Sequence, residues 1–236
     1  MTATLGRRAT AEGVGTALLV AIVVGSGIFA ERLSPDDAGI QLLENSIATA
    51  GGLVALILAF GSVSGAHFNP VVTLAERLFG GMTTRDAGAY VAAQVAGACL
   101  GAIVANVMFD LDPVLLSTNA RSSGGLWLGE VVATFGLVLV ILGVVRSGRS
   151  STAPFAVAGY IAAAYWFTSS TSFANPAVTI GRTLSDTFAG IEWRSAPAFI
   201  VAQLVGGLAA MALARYLHPD THDVDLVVPH DRADAA

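Results

Sequence analysis

Six apolar stretches, near residues 10–30, 40–62, 87–109, 126–146, 153–170 and 195–217, dominate the chain. A bilayer-crossing helix needs about 20 such residues, and each stretch except the short fifth comfortably supplies them. Two shorter apolar pieces interrupt the series, at about 69–79 and 175–187. They open on near copies of one motif, Asn69-Pro70-Val71-Val72-Thr73 and Asn175-Pro176-Ala177-Val178-Thr179. Asn-Pro continues a membrane helix badly and begins one well. Asn favours the N-cap, and proline suits the first turn because its missing N–H would be unpaired there anyway. A helix that begins inside the bilayer is tolerated only where its broken backbone borders a polar cavity. The order is span, span, half-helix, span, repeated once, and it reads as a pore.

The repeat extends past the Asn-Pro pair. Glu12 and Thr16 in the first span match Glu130 and Thr134 in the fourth, and Ala93-Gln94 with Gly97 matches Ala202-Gln203 with Gly206. Three spans per half require the second copy to enter from the opposite side, so the repeats are inverted. The predicted fold class is an all-α membrane protein with six transmembrane helices and two re-entrant half-helices. One channel domain covers 10–217, with repeats about 10–110 and 126–217, after a short N-terminal segment 1–9. The acidic stretch 218–236 reads as a solvated, poorly ordered tail. The first apolar stretch has no cleavage-site pattern after it and is read as a retained helix rather than a signal peptide.

Composition agrees. Mean hydropathy is +0.69 and only 12% of residues are charged, about half the share usual in soluble domains. There is no lysine, and the net charge of −5 reflects the aspartates of the tail. No basic patch interleaved with aromatics is present, so no nucleic-acid partner is expected. Arg7, Arg8, Arg77, Arg85, Arg146, Arg149 and Arg215 fall on one side of the alternating topology. Arg32, Arg121, Arg182 and Arg194 fall on the other. That excess predicts cytoplasmic N- and C-termini in the cell (inner) membrane. Glycines such as Gly97, Gly101, Gly206 and Gly207 predict close helix contacts. Cys99 is the single cysteine and reads as a small packing residue. The tail histidines His218, His222 and His230 and the isolated His67 offer no metal-ligand spacing, and no metal or cofactor is expected.

The segment Ser64-Gly65-Ala66-His67-Phe68-Asn69-Pro70-Val71 resembles the first signature of the aquaporin and glycerol-facilitator family, the major intrinsic proteins, with Val71 where alanine is usual. Asn175-Pro176-Ala177 is similar to the second signature, and Glu12, Glu130, Gln94 and Gln203 fall where that family has them. The resemblance covers about residues 9–217. It implies that the half-helices meet near the midplane, with Asn69, Pro70, Val71, Asn175, Pro176 and Ala177 at the constriction and both Asn amides turned to the lumen. It implies that Glu12 and Glu130 accept hydrogen bonds from the loop of their own half, and that His67 either lines the mouth or orients its loop. A homotetramer with one pore per subunit is also implied.

The chain departs from the resemblance at the filter. The family usually has arginine after the second Asn-Pro-Ala; here that position is Val178. The second-helix filter position falls on Thr49, where strict water pores have an aromatic, and Ser172 supplies a loop hydroxyl or carbonyl. The fifth-helix position falls on Ala163 or, with a shorter loop, on Trp166. A wider, less polar ring follows. Arg182 lies one turn beyond Val178; it either carries charge into the outer vestibule or snorkels outward and pairs with Asp186. A branch of the family with valine at this position is linked to bacterial arsenic detoxification.

The function expected is a passive channel for small uncharged solutes: water, glycerol, urea and neutral metalloid hydroxides such as arsenous acid. The chain shows no nucleophile–base pair and is not expected to be an enzyme. The alternative is a secondary transporter that uses Glu12 or Glu130 for proton coupling.

Overall fold

The computed structural model describes residues 3–218. Of the tail, only His218 lies within them; His222, His230 and the aspartates lie outside. Eight α-helices order as α1 (Leu5–Leu33), α2 (Ala38–Ser64), α3 (Pro70–Leu78), α4 (Thr84–Met108), α5 (Gly124–Arg146), α6 (Ala153–Phe167), α7 (Pro176–Arg182) and α8 (Ala196–Leu217). Five of them, α1, α2, α4, α5 and α8, are long and apolar enough to cross a membrane. Helix α6 has 15 residues, about 22 Å at 1.5 Å per residue, so it reaches only part of the way across a hydrocarbon core of about 30 Å. The first half-helix has nine residues, close to the stretch read from sequence. The second has seven and stops at Arg182, well before the expected end at 187, because the chain turns there into a loop bonded to residues 115–119.

Both half-helices begin as their sequence dictates. Asn69 and Asn175 are extended N-cap residues whose side chains accept from the first turn, and Pro70 and Pro176 occupy N1. The loops before them are held in unusual backbone. Ala66 and Phe68 have φ of 51° and 49°, and Thr171, Ser172 and Ala174 have 61°, 55° and 49°. Left-handed conformations at such residues cost on the order of 1–3 kcal/mol each and persist only where their surroundings over-determine them.

The two halves mirror each other in packing. Helix α1 lies against α4, and α5 against α8. Gly97 and Gly101 of α4 face the carbonyls of Gly13 and Ala17 so closely that a Cβ at either would overlap backbone; Gly206 does the same against Val131. Small residues permit this approach where lipid provides no hydrophobic drive between helices. Gly101→Val is therefore expected to destabilise by about 1–3 kcal/mol, as overpacking does, seen as a lower melting temperature in detergent. An unchanged melting curve would mean that α1 and α4 can separate at no cost.

A channel bounded by two half-helices

The reciprocal contacts of the two asparagines organise the centre. The Asn69 amide nitrogen donates to the Ala174 carbonyl at 2.7 Å, and the Asn175 amide nitrogen donates to the Phe68 carbonyl at 2.7 Å. Their side-chain oxygens meanwhile cap their own helices, taking Val71 N–H at 2.9 Å and Ala177 N–H at 3.0 Å. Each Asn thus closes its own helix and holds the other half's loop.

Behind each loop stands a fully buried acid. Glu12 accepts from the backbone N–H of His67 at 3.0 Å and of Phe68 at 2.7 Å, and from the Ser64 hydroxyl and the Gln94 amide. Glu130 accepts from Phe173 and Ala174 N–H at 2.8 and 2.9 Å and from Gln203 at 2.6 Å. Gln94 and Gln203 pass the chain on to Thr73 and Thr179. Charge-assisted bonds of this kind are the strong ones, and they fix the left-handed loop residues. Glu12 sits on α1 and Glu130 on α5, each bonded to the loop of its own half, and neither borders the cavity.

That cavity is bordered by α1, α2, α5 and α6, both loops and both half-helices. Helices α4 and α8 stand behind it. Along the half-helices its wall is Asn69 and Val72 on one side and Asn175, Val178 and Arg182 on the other, the three- and four-residue spacing of one helical face. Pro70, Val71, Pro176 and Ala177, expected at the constriction, do not border it. Proline at N1 and the residue after it turn away from the face that carries the Asn, and Val71 is fully buried opposite Gly207 of α8.

The residues expected at the filter divide. Thr49, Ser172 and Val178 border the cavity. Neither fifth-helix alternative does. Ala163 is exposed on the outside of the bundle, and Trp166 is 51% exposed and donates to Ser46 at 3.3 Å. The residue on the wall is Tyr165, buried, with its hydroxyl 3.1 Å from that of Thr49. Val157, Ile161 and Tyr165 form the cavity face of α6. That four-residue period was present in the sequence but hidden, because α6 is apolar all round.

His67 borders the cavity, and its Nδ1 lies 3.1 Å from the Thr73 hydroxyl. Arg182 does not snorkel or pair with Asp186, whose oxygens accept from Thr118. It is 3% exposed, borders the cavity and donates through Nε to the Ala189 carbonyl. Arg121, in the loop before α5, donates to the carbonyls of Gly190 and Phe188; burial holds its guanidinium below the usual range.

Membrane-length helices enclosing a cavity between two facing half-helix ends define a membrane channel. The model of the family described as "Major intrinsic protein" matches residues 1–172, and the chain belongs to that family, whose members are channels and not enzymes. It is 52% identical over 213 residues to Aquaglyceroporin AqpS of Rhizobium meliloti (strain 1021), covering 90% of this chain and 91% of that one. It is 31% identical over 247 residues to Probable aquaporin AqpM of Archaeoglobus fulgidus, covering 92% and 99%. The X-ray structure of the aquaglyceroporin from Plasmodium falciparum shares the fold, with a TM-score of 0.69 at 21% identity over 92% of this chain and 98% of that one.

Proposed function

We propose that the protein passes water, glycerol and other small uncharged solutes passively, with neutral metalloid hydroxides such as arsenous acid within its range. One observation carries the reading: one cavity is bordered by Asn69 and Asn175 at the tips of two half-helices and by Thr49, Tyr165 and Val178, with valine rather than arginine at 178. Each half-helix presents about half a positive charge at its N-terminus. A cation entering there loses hydration and meets that charge, whereas a neutral solute needs only hydrogen-bond partners. Val178 contributes two methyls where a guanidinium would take up space, which favours solutes bulkier than water. The name of the 52%-identical relative, an aquaglyceroporin, supports glycerol.

The arginine distribution supports cytoplasmic termini in the inner membrane, and a homotetramer with one pore per subunit completes the reading. Proton coupling through Glu12 or Glu130 is disfavoured, since their oxygens are taken up by loop N–H groups away from the cavity.

Stopped-flow swelling of proteoliposomes tests this. Glycerol and arsenous acid fluxes should dissipate a solute gradient, be insensitive to a pH gradient and never build a gradient. Accumulation driven by protons would overturn the channel reading. Water flux with no glycerol flux would overturn the open filter.

A further inference from the structure

Arg182 is a nearly fully buried cation with no carboxylate partner among the described residues. The ion pairs among the described residues are Arg8 with Asp86 and Arg194 with Glu192. Glu130, the acid of the same half, is saturated by Phe173, Ala174 and Gln203. What holds Arg182 is neutral. Its Nε donates to the Ala189 carbonyl, and its guanidinium carbon lies 3.4 Å from the centroid of the Phe173 ring. Its two terminal nitrogens make no hydrogen bond within the described residues and are not sealed from the cavity. Arg121 approaches the same ring, at 5.2 Å. The Ser172 hydroxyl oxygen is buried, with no partner among the described residues. The wall therefore carries unused hydrogen-bonding capacity beside a fixed positive charge, at the end of the lumen away from the chain's termini.

We propose that Arg182 is the specificity-determining charge of this channel, set one helical turn beyond Val178. Phe173 and Ala189 fix the plane of the guanidinium, so its free N–H fork faces the lumen in one orientation. Val178 leaves the ring ahead of it wide, and Arg182 supplies the charge and donors that valine lacks. The solute class follows. It is a compact molecule with two adjacent acceptor oxygens that engage the fork. Polyols and undissociated oxyacids have that pattern. Inorganic cations are repelled by Arg182, with Arg121 behind it.

This rests on the channel reading and deepens it, and the experiment separates the two. Wild type, Arg182→Leu, Arg182→Gln and Arg182→Lys are reconstituted, and glycerol swelling and potassium leak are measured per inserted protein. Both neutral variants are expected to leak potassium at least tenfold faster than wild type and to discriminate glycerol from urea less well. Arg182→Lys, which keeps the charge but loses the fork, should stay tight to potassium and discriminate glycerol from urea less well. A neutral variant that passes glycerol and stays as tight as wild type overturns the role of Arg182. Should Arg182→Leu fail to insert, Arg182→Gln decides. Absence of both water and glycerol flux in wild type would instead overturn the channel reading.

Discussion

Val178→Arg cuts glycerol flux per inserted channel by at least about tenfold, ~1.4 kcal/mol of barrier, while water flux falls less. The new guanidinium would project from the same face of α7 as Arg182, one turn along. Side chains so placed are neighbours, about 5–6 Å apart at Cβ. Two like charges would then share a wall with no carboxylate among the described residues to divide between them. The added side chain takes volume from the cavity that Thr49 and Tyr165 also border. Water suffers least, being the smallest solute. Proteoliposome swelling against glycerol and against an impermeant osmolyte reads both fluxes, and unchanged glycerol flux would mean that Val178 does not bound the narrow part.

Glu130→Gln should injure folding far more than transport. The carboxylate accepts from Phe173, Ala174 and Gln203 at once, and it does so beside left-handed Ser172 and Ala174. An amide at 130 turns one acceptor into a donor that faces another donor. A buried group left without its partner costs about 1–3 kcal/mol, more where the lost bond was to a charge. The yield of monodisperse protein and its melting temperature should fall, and the surviving fraction should pass glycerol within about twofold of wild type, since Glu130 is off the cavity wall. A stable Glu130→Gln channel without flux would move the acid into the transport path.

The half-helix starts were legible because polar Asn-Pro stands out in an apolar background and its capping chemistry is local; Asn69 and Asn175 cap where expected. The buried acids were legible for the same reason, being one per half. Helix α6 was not. Its apolar surface carries no stripe to fix rotation, and the left-handed loop after it defeats counting by residue number, so counting lands on Ala163 or Trp166 rather than on Tyr165. The Arg182–Asp186 pair failed because it assumed a helix through 187. The helix ends at Arg182, so Asp186 sits in a loop and binds Thr118 instead. Helix stops set by distant backbone partners leave no local signal.

The crossed asparagine bonds also bear on the order in which the chain is made. During synthesis the first half reaches the bilayer with the Phe68 carbonyl still waiting for Asn175, and with the Asn69 amide still waiting for Ala174. Unpaired polar groups at that depth cost several kcal/mol each. The first re-entrant loop therefore cannot settle when its own three spans have emerged. It is expected to settle only once the second loop supplies its partners.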